Sequence, residues 1–187
     1  MDDRFAKLEQ NICDVIREDQ IKLGYRSETI RLYYPLESLN SLVGKHLSVT
    51  QMYEELADFC AEVKPRLGGI QVSGSKDRFC LAFPPQAAEY VHFELPKDKF
   101  LEEFIAVIAR HGSTLSDVLE VFKRYSSQVH LEQLFQSEFD YLIYFEDGLP
   151  NDYRYCLTME ECHMTYHRFT VEDYKELGFS EGTVVAV

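Results

Sequence analysis

Apolar and polar positions follow a helical period in some stretches of the chain and a period of two in others. Apolar residues spaced three or four apart indicate amphipathic helices, and they predict helices over about 3–23, 35–43, 49–63, 98–111, 114–126 and 171–177. Strict alternation is typical of half-buried strands, and it predicts strands over 29–34, 70–73, 78–83, 89–95, 140–146, 152–158 and 162–169. Residues 128–138 are left unassigned.

The order of these elements predicts an α+β fold. Residues of about 70–95 and 140–169 each predict an antiparallel three-stranded meander, and helices set apart from hairpins favour α+β over α/β. We expect a single domain over 1–187. The helix and strand order further suggests two α-βββ-α halves, about 48–112 and 113–179, although residue identity between these halves is low.

Composition and charge exclude several classes of protein. A hydrophobic content of 45% supports a packed core, and 19 Lys+Arg against 32 Asp+Glu argue against binding nucleic acid through a basic face. No apolar run approaches the ~20 residues of a membrane helix. The start Met1-Asp-Asp-Arg4 lacks a secretory signal, so we expect a cytoplasmic protein without a membrane partner. Five scattered cysteines indicate reduced thiols, and Cys60 and Cys80 are expected to be buried.

Acidic residues are concentrated in one stretch. Residues 132–161 carry eight acidic side chains and one basic side chain, Arg154, and they also contain seven Phe or Tyr. The simpler interpretation is a solubilising face over an aromatic core. The functional interpretation is an acidic, aromatic-rich contact surface for a basic protein, because carboxylates steer a basic partner and aromatic side chains anchor it.

Known catalytic and cofactor motifs are absent from the sequence. It has no dinucleotide-binding glycine pattern, Walker loop, H-E-x-x-H or G-x-S-x-G, so we expect no cofactor. Cys156, Cys162, His163 and His167 resemble zinc ligands, but a strand would hold them apart. Residues 146–152 are better interpreted as a hairpin loop than as a calcium loop. We therefore expect no metal.

Hairpin geometry predicts one candidate site. A five-residue loop at 147–151 places Tyr144 opposite Arg154, and a turn between Met159 and Glu160 places Asp152 opposite His167. Both registers separate an apolar face from a polar face, which supports them. A carboxylate beside a histidine can provide an acid or base near neutral pH. Solvent exposure is the alternative interpretation of the polar face. The candidate catalytic residues are His167, Asp152, His163, Arg154, Glu146 and Tyr144.

Three stretches of the chain resemble a family of uncharacterised proteins from gut Firmicutes, classed as a domain of unknown function. They are Leu23-Gly-Tyr-Arg-Ser-Glu-Thr-Ile-Arg-Leu-Tyr-Tyr-Pro-Leu36, Phe139-Asp-Tyr-Leu-Ile-Tyr-Phe-Glu-Asp-Gly148 and Tyr166-His-Arg-Phe-Thr170. The resemblance covers nearly the whole chain. It implies a bacterial cytosolic protein and implies nothing about activity.

Three functional hypotheses follow. The first is a non-catalytic binding or regulatory module whose acidic face meets a basic partner, and the lack of a catalytic motif favours it. The second is a small enzyme that uses the His and carboxylate cluster on the polar face of the C-terminal sheet. The third is a structural or metal-stabilised protein without a separate activity. The sequence does not determine a substrate or an oligomeric state.

Overall fold

The computed structural model describes residues 4–135, 137–178 and 183–184. The chain divides into two compact units, residues 1–97 and 98–187, which we call unit 1 and unit 2. Both units combine helices with an antiparallel sheet, which confirms the α+β class. The expected single domain and internal repeat stay predictions. Among the described residues, no helix has both the length and the apolar composition of a membrane span.

Unit 1 is built from two long amphipathic helices, a small sheet and several short helices. The longest helix begins after Ser48, whose hydroxyl accepts a hydrogen bond from the backbone N–H of Gln51 in a capping box. The elements are α1 Ala6–Leu23, β1 Ile30–Pro35, α2 Leu36–Val43, α3 Val49–Leu67, β2 Gln71–Ser75, β3 Arg78–Phe83, α4 Pro85–Glu89 and a π-helical turn Tyr90–Glu94.

The sheet of unit 1 has the order β1-β3-β2 and is antiparallel throughout. It is therefore three-stranded, but the predicted strand over 89–95 is wrong, because that segment is helical and β1 supplies the third strand. Ala87, Ala88 and Val91 are buried, and this spacing of three to four residues presents one helical face to the core. Pro85 also suits the first turn of a helix.

The core of unit 1 lies between the sheet and the long helices. One side of the sheet faces this core. The fully buried side chains include Leu8, Ile12, Ile16, Leu56, Phe59, Val63, Leu81 and Phe83.

Unit 2 pairs two helices with a longer sheet. Its elements are α5 Lys99–Ala109, α6 Leu115–Tyr125, β4 Val129–Gln133, β5 Tyr141–Phe145, β6 Arg154–Met159, β7 Met164–Phe169, α7 Val171–Glu176 and the two-residue β8 Thr183–Val184. Strands β7-β6-β5-β4 form an antiparallel sheet, and β8 pairs with the outer edge of β4. The predicted meander over 140–169 is present, but it belongs to a larger sheet because β4 lies in the unassigned stretch.

Aromatic rings fill the core of unit 2. Phe100 and Phe104 from α5 and Phe122 from α6 pack against one side of the sheet, where Tyr155 is fully buried. The Phe122 and Phe145 ring centroids lie 4.8 Å apart. We call this side the first face, and we call the opposite side the second face.

Candidate functional site

Alternation along the strands of unit 2 places a mixed set of side chains on the second face. In β4, Leu131 is buried, whereas His130 and Glu132 point to the other side. The register puts His130 opposite Tyr144, and Cys156 opposite both Leu142 and His167. The second face therefore collects His130, Glu132, Leu142, Tyr144, Arg154, Cys156, Thr158, Thr165, His167 and Phe169.

Three planar groups stack in one row across β4, β5 and β6. The His130 and Tyr144 ring centroids are 4.6 Å apart with an interplanar angle of 26°. The Arg154 guanidinium carbon lies 3.7 Å from the Tyr144 ring centroid, which is the geometry of a cation–π contact. Burial raises the pKa of the Tyr144 hydroxyl, so this phenol stays protonated and neutral near pH 7.

His130 lies between two carboxylates. Its Nε2 is 3.3 Å from Oε2 of Glu132, and its Nδ1 is 3.5 Å from Oε1 of Glu146. Carboxylates only accept hydrogen bonds, so Nε2 is the donor in the contact with Glu132. The His130 side chain is 16% exposed. This arrangement orients the ring and leaves a narrow approach to it.

The rest of the second face carries a small apolar cluster. Leu134, Phe139, Leu142 and Cys156 are buried there, and Phe169 and Tyr174 pack against them. Burial raises the pKa of the Cys156 thiol to about 12, so it is not a nucleophile near neutral pH. The second face, which the hairpin registers predict to be polar, is therefore only partly polar, because Cys156 and its apolar neighbours are buried on it.

The six residues selected from the sequence do not come together. Tyr144, Arg154 and Glu146 lie in or beside the stacked row around His130. His167 instead packs against Phe139, with ring centroids 5.3 Å apart.

Asp152 and His163 occupy opposite ends of the sheet. Asp152 precedes β6 and is exposed, and its backbone oxygen accepts a hydrogen bond from Nη1 of Arg154. His163 lies in the turn between β6 and β7, and its Nε2 lies 2.8 Å from Oε2 of Glu160.

One of the two predicted registers is wrong. Strands β5 and β6 pair as expected, with Ile143 opposite Tyr155. In the β6–β7 hairpin, Cys156 lies opposite His167 and not opposite His163, which is a shift of four residues. Asp152 therefore has no partner in β7, and the expected pair of Asp152 and His167 does not form.

Sequence reasoning missed His130 and Glu132 because residues 128–138 were left unassigned. The signal is the short alternation Val129-His-Leu-Glu-Gln133, in which the apolar Leu131 separates two polar side chains. An alternation of only five residues does not by itself distinguish a strand from a loop. The pairing of this segment with β5 shows that it is a strand.

Seven of the eight acidic residues of 132–161 form two groups, one at each end of the strands, and the eighth, Glu132, lies beside His130. Glu146, Asp147 and Asp152 lie in and beside the β5–β6 loop. The other group, which we call the hairpin patch, lies where residues 138–140 run beside the β6–β7 hairpin: the Asp140 N–H donates to the Leu157 carbonyl, and the Asp140 carboxylate accepts from the Met159 N–H. The hairpin patch comprises Glu138, Asp140, Glu160 and Glu161.

Two further observations concern possible ligands. Unit 1 has a shallow groove of about 390 Å³ beside the π-helical turn, lined in part by Arg66, Tyr90 and Phe93. Arg66 is already held there by Glu9, with Nε 2.6 Å from Oε1. Among the described residues, no group of three His, Cys, Asp or Glu side chains is arranged to hold a metal ion.

Comparison with known proteins gives a family and no activity. The family described as "Domain of unknown function, E. rectale Gene description (DUF3877)" matches residues 5–178. No curated protein and no solved structure matches the chain.

Proposed function

The chain belongs to the DUF3877 family of unknown function, and we propose that it is a non-catalytic binding module that recognises a basic protein segment through the hairpin patch. The observation that carries this proposal is the contrast between the carboxylates of the two units. Several carboxylates of unit 1 form ion pairs with Lys or Arg of the same chain. Among the described residues, the carboxylates of the hairpin patch form no such pair, so they can pair with the cations of a partner.

Internal ion pairs hold several of the carboxylates of unit 1. Oε1 of Glu9 lies 2.6 Å from Nε of Arg66, Oδ1 of Asp14 lies 2.7 Å from Nη1 of Arg17, and Glu55 pairs with two cations. Over residues 1–97 the sequence has 15 acidic and 12 basic side chains, a net charge of 12 − 15 = −3.

The hairpin patch has no such partners. Residues 98–187 contain 17 acidic and 7 basic side chains, a net charge of 7 − 17 = −10. Every Lys and Arg of the chain lies within the described residues, and none of them forms an ion pair with Glu138, Asp140, Glu160 or Glu161. The titratable partner present is His163, beside Glu160.

This charge pattern favours a basic partner. Clustered carboxylates attract basic segments at long range and raise their association rate. Phe135 is 48% exposed and lies three residues before Glu138, so an apolar contact is available next to the charged one. Contacts of both kinds are typical of protein interfaces.

A labelled Lys- and Arg-rich peptide with one Leu anchor tests the proposal. We expect it to bind, and we expect its association rate to fall steeply with NaCl, because a Debye length of ~10 Å at 0.1 M screens the steering. Stopped-flow fluorescence measures this rate. Binding that does not depend on salt would contradict the electrostatic basis of the proposal.

Two charge-matched variants locate the contact. Glu138→Lys with Glu161→Lys changes the charge of the hairpin patch from −4 to 0, and we expect about a tenfold or larger loss of affinity because the attraction for a cationic peptide is lost. Asp19→Lys with Glu54→Lys changes the net charge equally at exposed positions of unit 1 and serves as the control. Equal losses in both variants would show that net charge, and not the hairpin patch, determines binding.

A second candidate function is acid–base catalysis at His130, and its two flanking carboxylates favour it. The ring could transfer a proton to a substrate that reaches it beside the exposed Glu146. A panel of chromogenic ester and phosphate substrates tests this candidate, with His130→Gln as the inactive form. Turnover that survives in the variant would exclude His130 as the catalytic group.

A further inference from the structure

The side of the unit 1 sheet that faces away from the core has no acidic residue in its three strands. We call it the outer face. The strand register places its nine residues in three rows, namely Arg31, Ala82 and Gln71; Tyr33, Cys80 and Ser73; and Pro35, Arg78 and Ser75. Two of the nine are cationic. Cys80 lies here, half-buried, and so the expectation that it is a core residue is wrong.

The two arginines of the outer face are free within the part of the chain that the structure describes. Arg31 and Arg78 are exposed and make no ion pair or side-chain hydrogen bond. Five other arginines pair with carboxylates, namely Arg4, Arg17, Arg66, Arg110 and Arg124. Arg26 and Arg154 also lack a carboxylate partner within the part of the chain that the structure describes, so the distinguishing feature of the outer face is that two such arginines share it with no acidic residue beside them.

Tyr33 lies in the middle row, between the rows of Arg31 and Arg78. It is 70% exposed and makes no ring contact among the described residues. Residues two apart on one side of a strand are about 7 Å apart, so Arg31 and Tyr33 present a cation and an aromatic ring side by side. Tyr and Arg are the residue types that most often dominate binding at protein interfaces.

We infer that the outer face of one copy of this protein binds the hairpin patch of a second copy. The inference rests on the proposed function, since it names the basic partner of the hairpin patch. Charge complementarity is the argument: one chain carries four carboxylates without a Lys or Arg partner in unit 2 and two free arginines beside an exposed tyrosine in unit 1. The carboxylates of one copy can therefore pair with the arginines of another copy.

The contact joins two different surfaces. Two copies can make it reciprocally and close a dimer, or head to tail, which leaves one patch and one outer face free for further copies. We therefore expect the average mass to rise with concentration and to fall with added salt. A chain that has lost one of the two surfaces cannot propagate this assembly.

Sedimentation velocity of the full chain and two variants tests the inference. Arg31→Glu with Arg78→Glu reverses the charge of the outer face from +2 to −2, and Glu138→Lys with Glu161→Lys changes the charge of the hairpin patch from −4 to 0. We expect the wild type to self-associate and each variant alone to show at least a tenfold lower association constant, because the first variant places like charges together and the second removes the net charge that attracts the arginines. An equimolar mixture of the two variants should form a dimer and stop there, since it contains one intact pair of surfaces.

The mixture is also the control for misfolding. Each variant can join that dimer only if it is folded and binds through its unchanged surface. A wild-type chain that stays monomeric while its hairpin patch still binds the basic peptide would overturn this inference and leave the proposed function intact. If the wild type stays monomeric and its hairpin patch also fails to bind the basic peptide, both this inference and the proposed function are overturned. A single-stranded oligonucleotide that binds the outer face of a monomeric protein would also overturn the inference.

Discussion

Glu55 is a buried charge on α3 that two cations hold in place. Its side chain is 7% exposed, and its carboxylate lies 2.8 Å from Nε of Arg4 and 2.8 Å from Nζ of Lys45. The hydrogen bond from Arg4 is the main reason that the pKa of Glu55 is lowered, and it outweighs the desolvation that would raise it. The ionised form is therefore part of the folded structure.

We expect Glu55→Gln to lower the free energy of unfolding by about 1–3 kcal/mol, since hydrogen bonds to charged groups contribute that much. The folded-state pKa lies below the unfolded-state value, so the stabilisation is present above the unfolded pKa and is lost as the pH falls through the folded pKa. Urea unfolding from pH 7 down to pH 3 should therefore show a smaller acid loss in the variant.

Glu54→Gln is the matched control for this prediction, because Glu54 is the exposed neighbour on the same helix. We expect a change within ±0.5 kcal/mol at that position. Equal destabilisation by the two substitutions would contradict the role of the Arg4 and Lys45 contacts.

The β6–β7 hairpin shows how an element is placed by its turn. Met159 pairs with Met164, and the Glu160 N–H donates to the His163 carbonyl, so the turn comprises residues 160–163. The sequence-based register places the turn earlier and shifts the pairing by four residues. A shift by an even number leaves every side chain on the same face, so the alternation of polar and apolar residues fits both registers equally well.

Engineered cysteines distinguish the two registers. Thr158 and Thr165 are directly opposed, and opposed Cα atoms lie ~4.5–5.5 Å apart, within the range of a disulfide. We expect Thr158→Cys with Thr165→Cys to cross-link on oxidation, as seen by mass spectrometry of the peptides. Arg154→Cys with Thr165→Cys is the control, which would cross-link only if the sequence-based register were correct.

The charge of the whole molecule is distributed unequally between its units. Unit 2 carries −10 of the total of −13, and the hairpin patch contains none of its few internal ion pairs with Lys or Arg. Repulsion among like charges destabilises a compact state and is screened by salt. The molecule should therefore be more stable in salt than in dilute buffer.

We expect NaCl to raise the unfolding temperature by a few degrees, since about 1 kcal/mol corresponds to ~2–4 °C in a chain of this size. Differential scanning fluorimetry over a salt series measures it. Glu138→Lys with Glu161→Lys should gain stability at low salt and depend less on salt, whereas Asp19→Lys with Glu54→Lys should change less. A melting temperature that falls with salt would contradict this prediction.

Local sequence determined the features whose cause is local. The spacing of apolar residues predicted a helix over 49–63, where α3 lies, and alternation in 140–169 predicted three strands. The short loop at 147–151 predicted the β5–β6 register. Neighbouring residues alone set these features. The family resemblance, too, was carried by contiguous stretches such as Phe139–Gly148, and the match over residues 5–178 confirms it.

Tertiary structure decided which elements meet. Residues 89–95 alternate as a strand would, yet the burial of Ala87, Ala88 and Val91 in the core favours helical turns there. His130 lies beside Tyr144 only because β4 pairs with β5. His167 lies opposite Cys156, and not opposite Asp152, because the turn at 160–163 sets the β6–β7 register. Partners distant in sequence are selected by packing and hydrogen bonding across the whole sheet, and no window of the sequence contains that information.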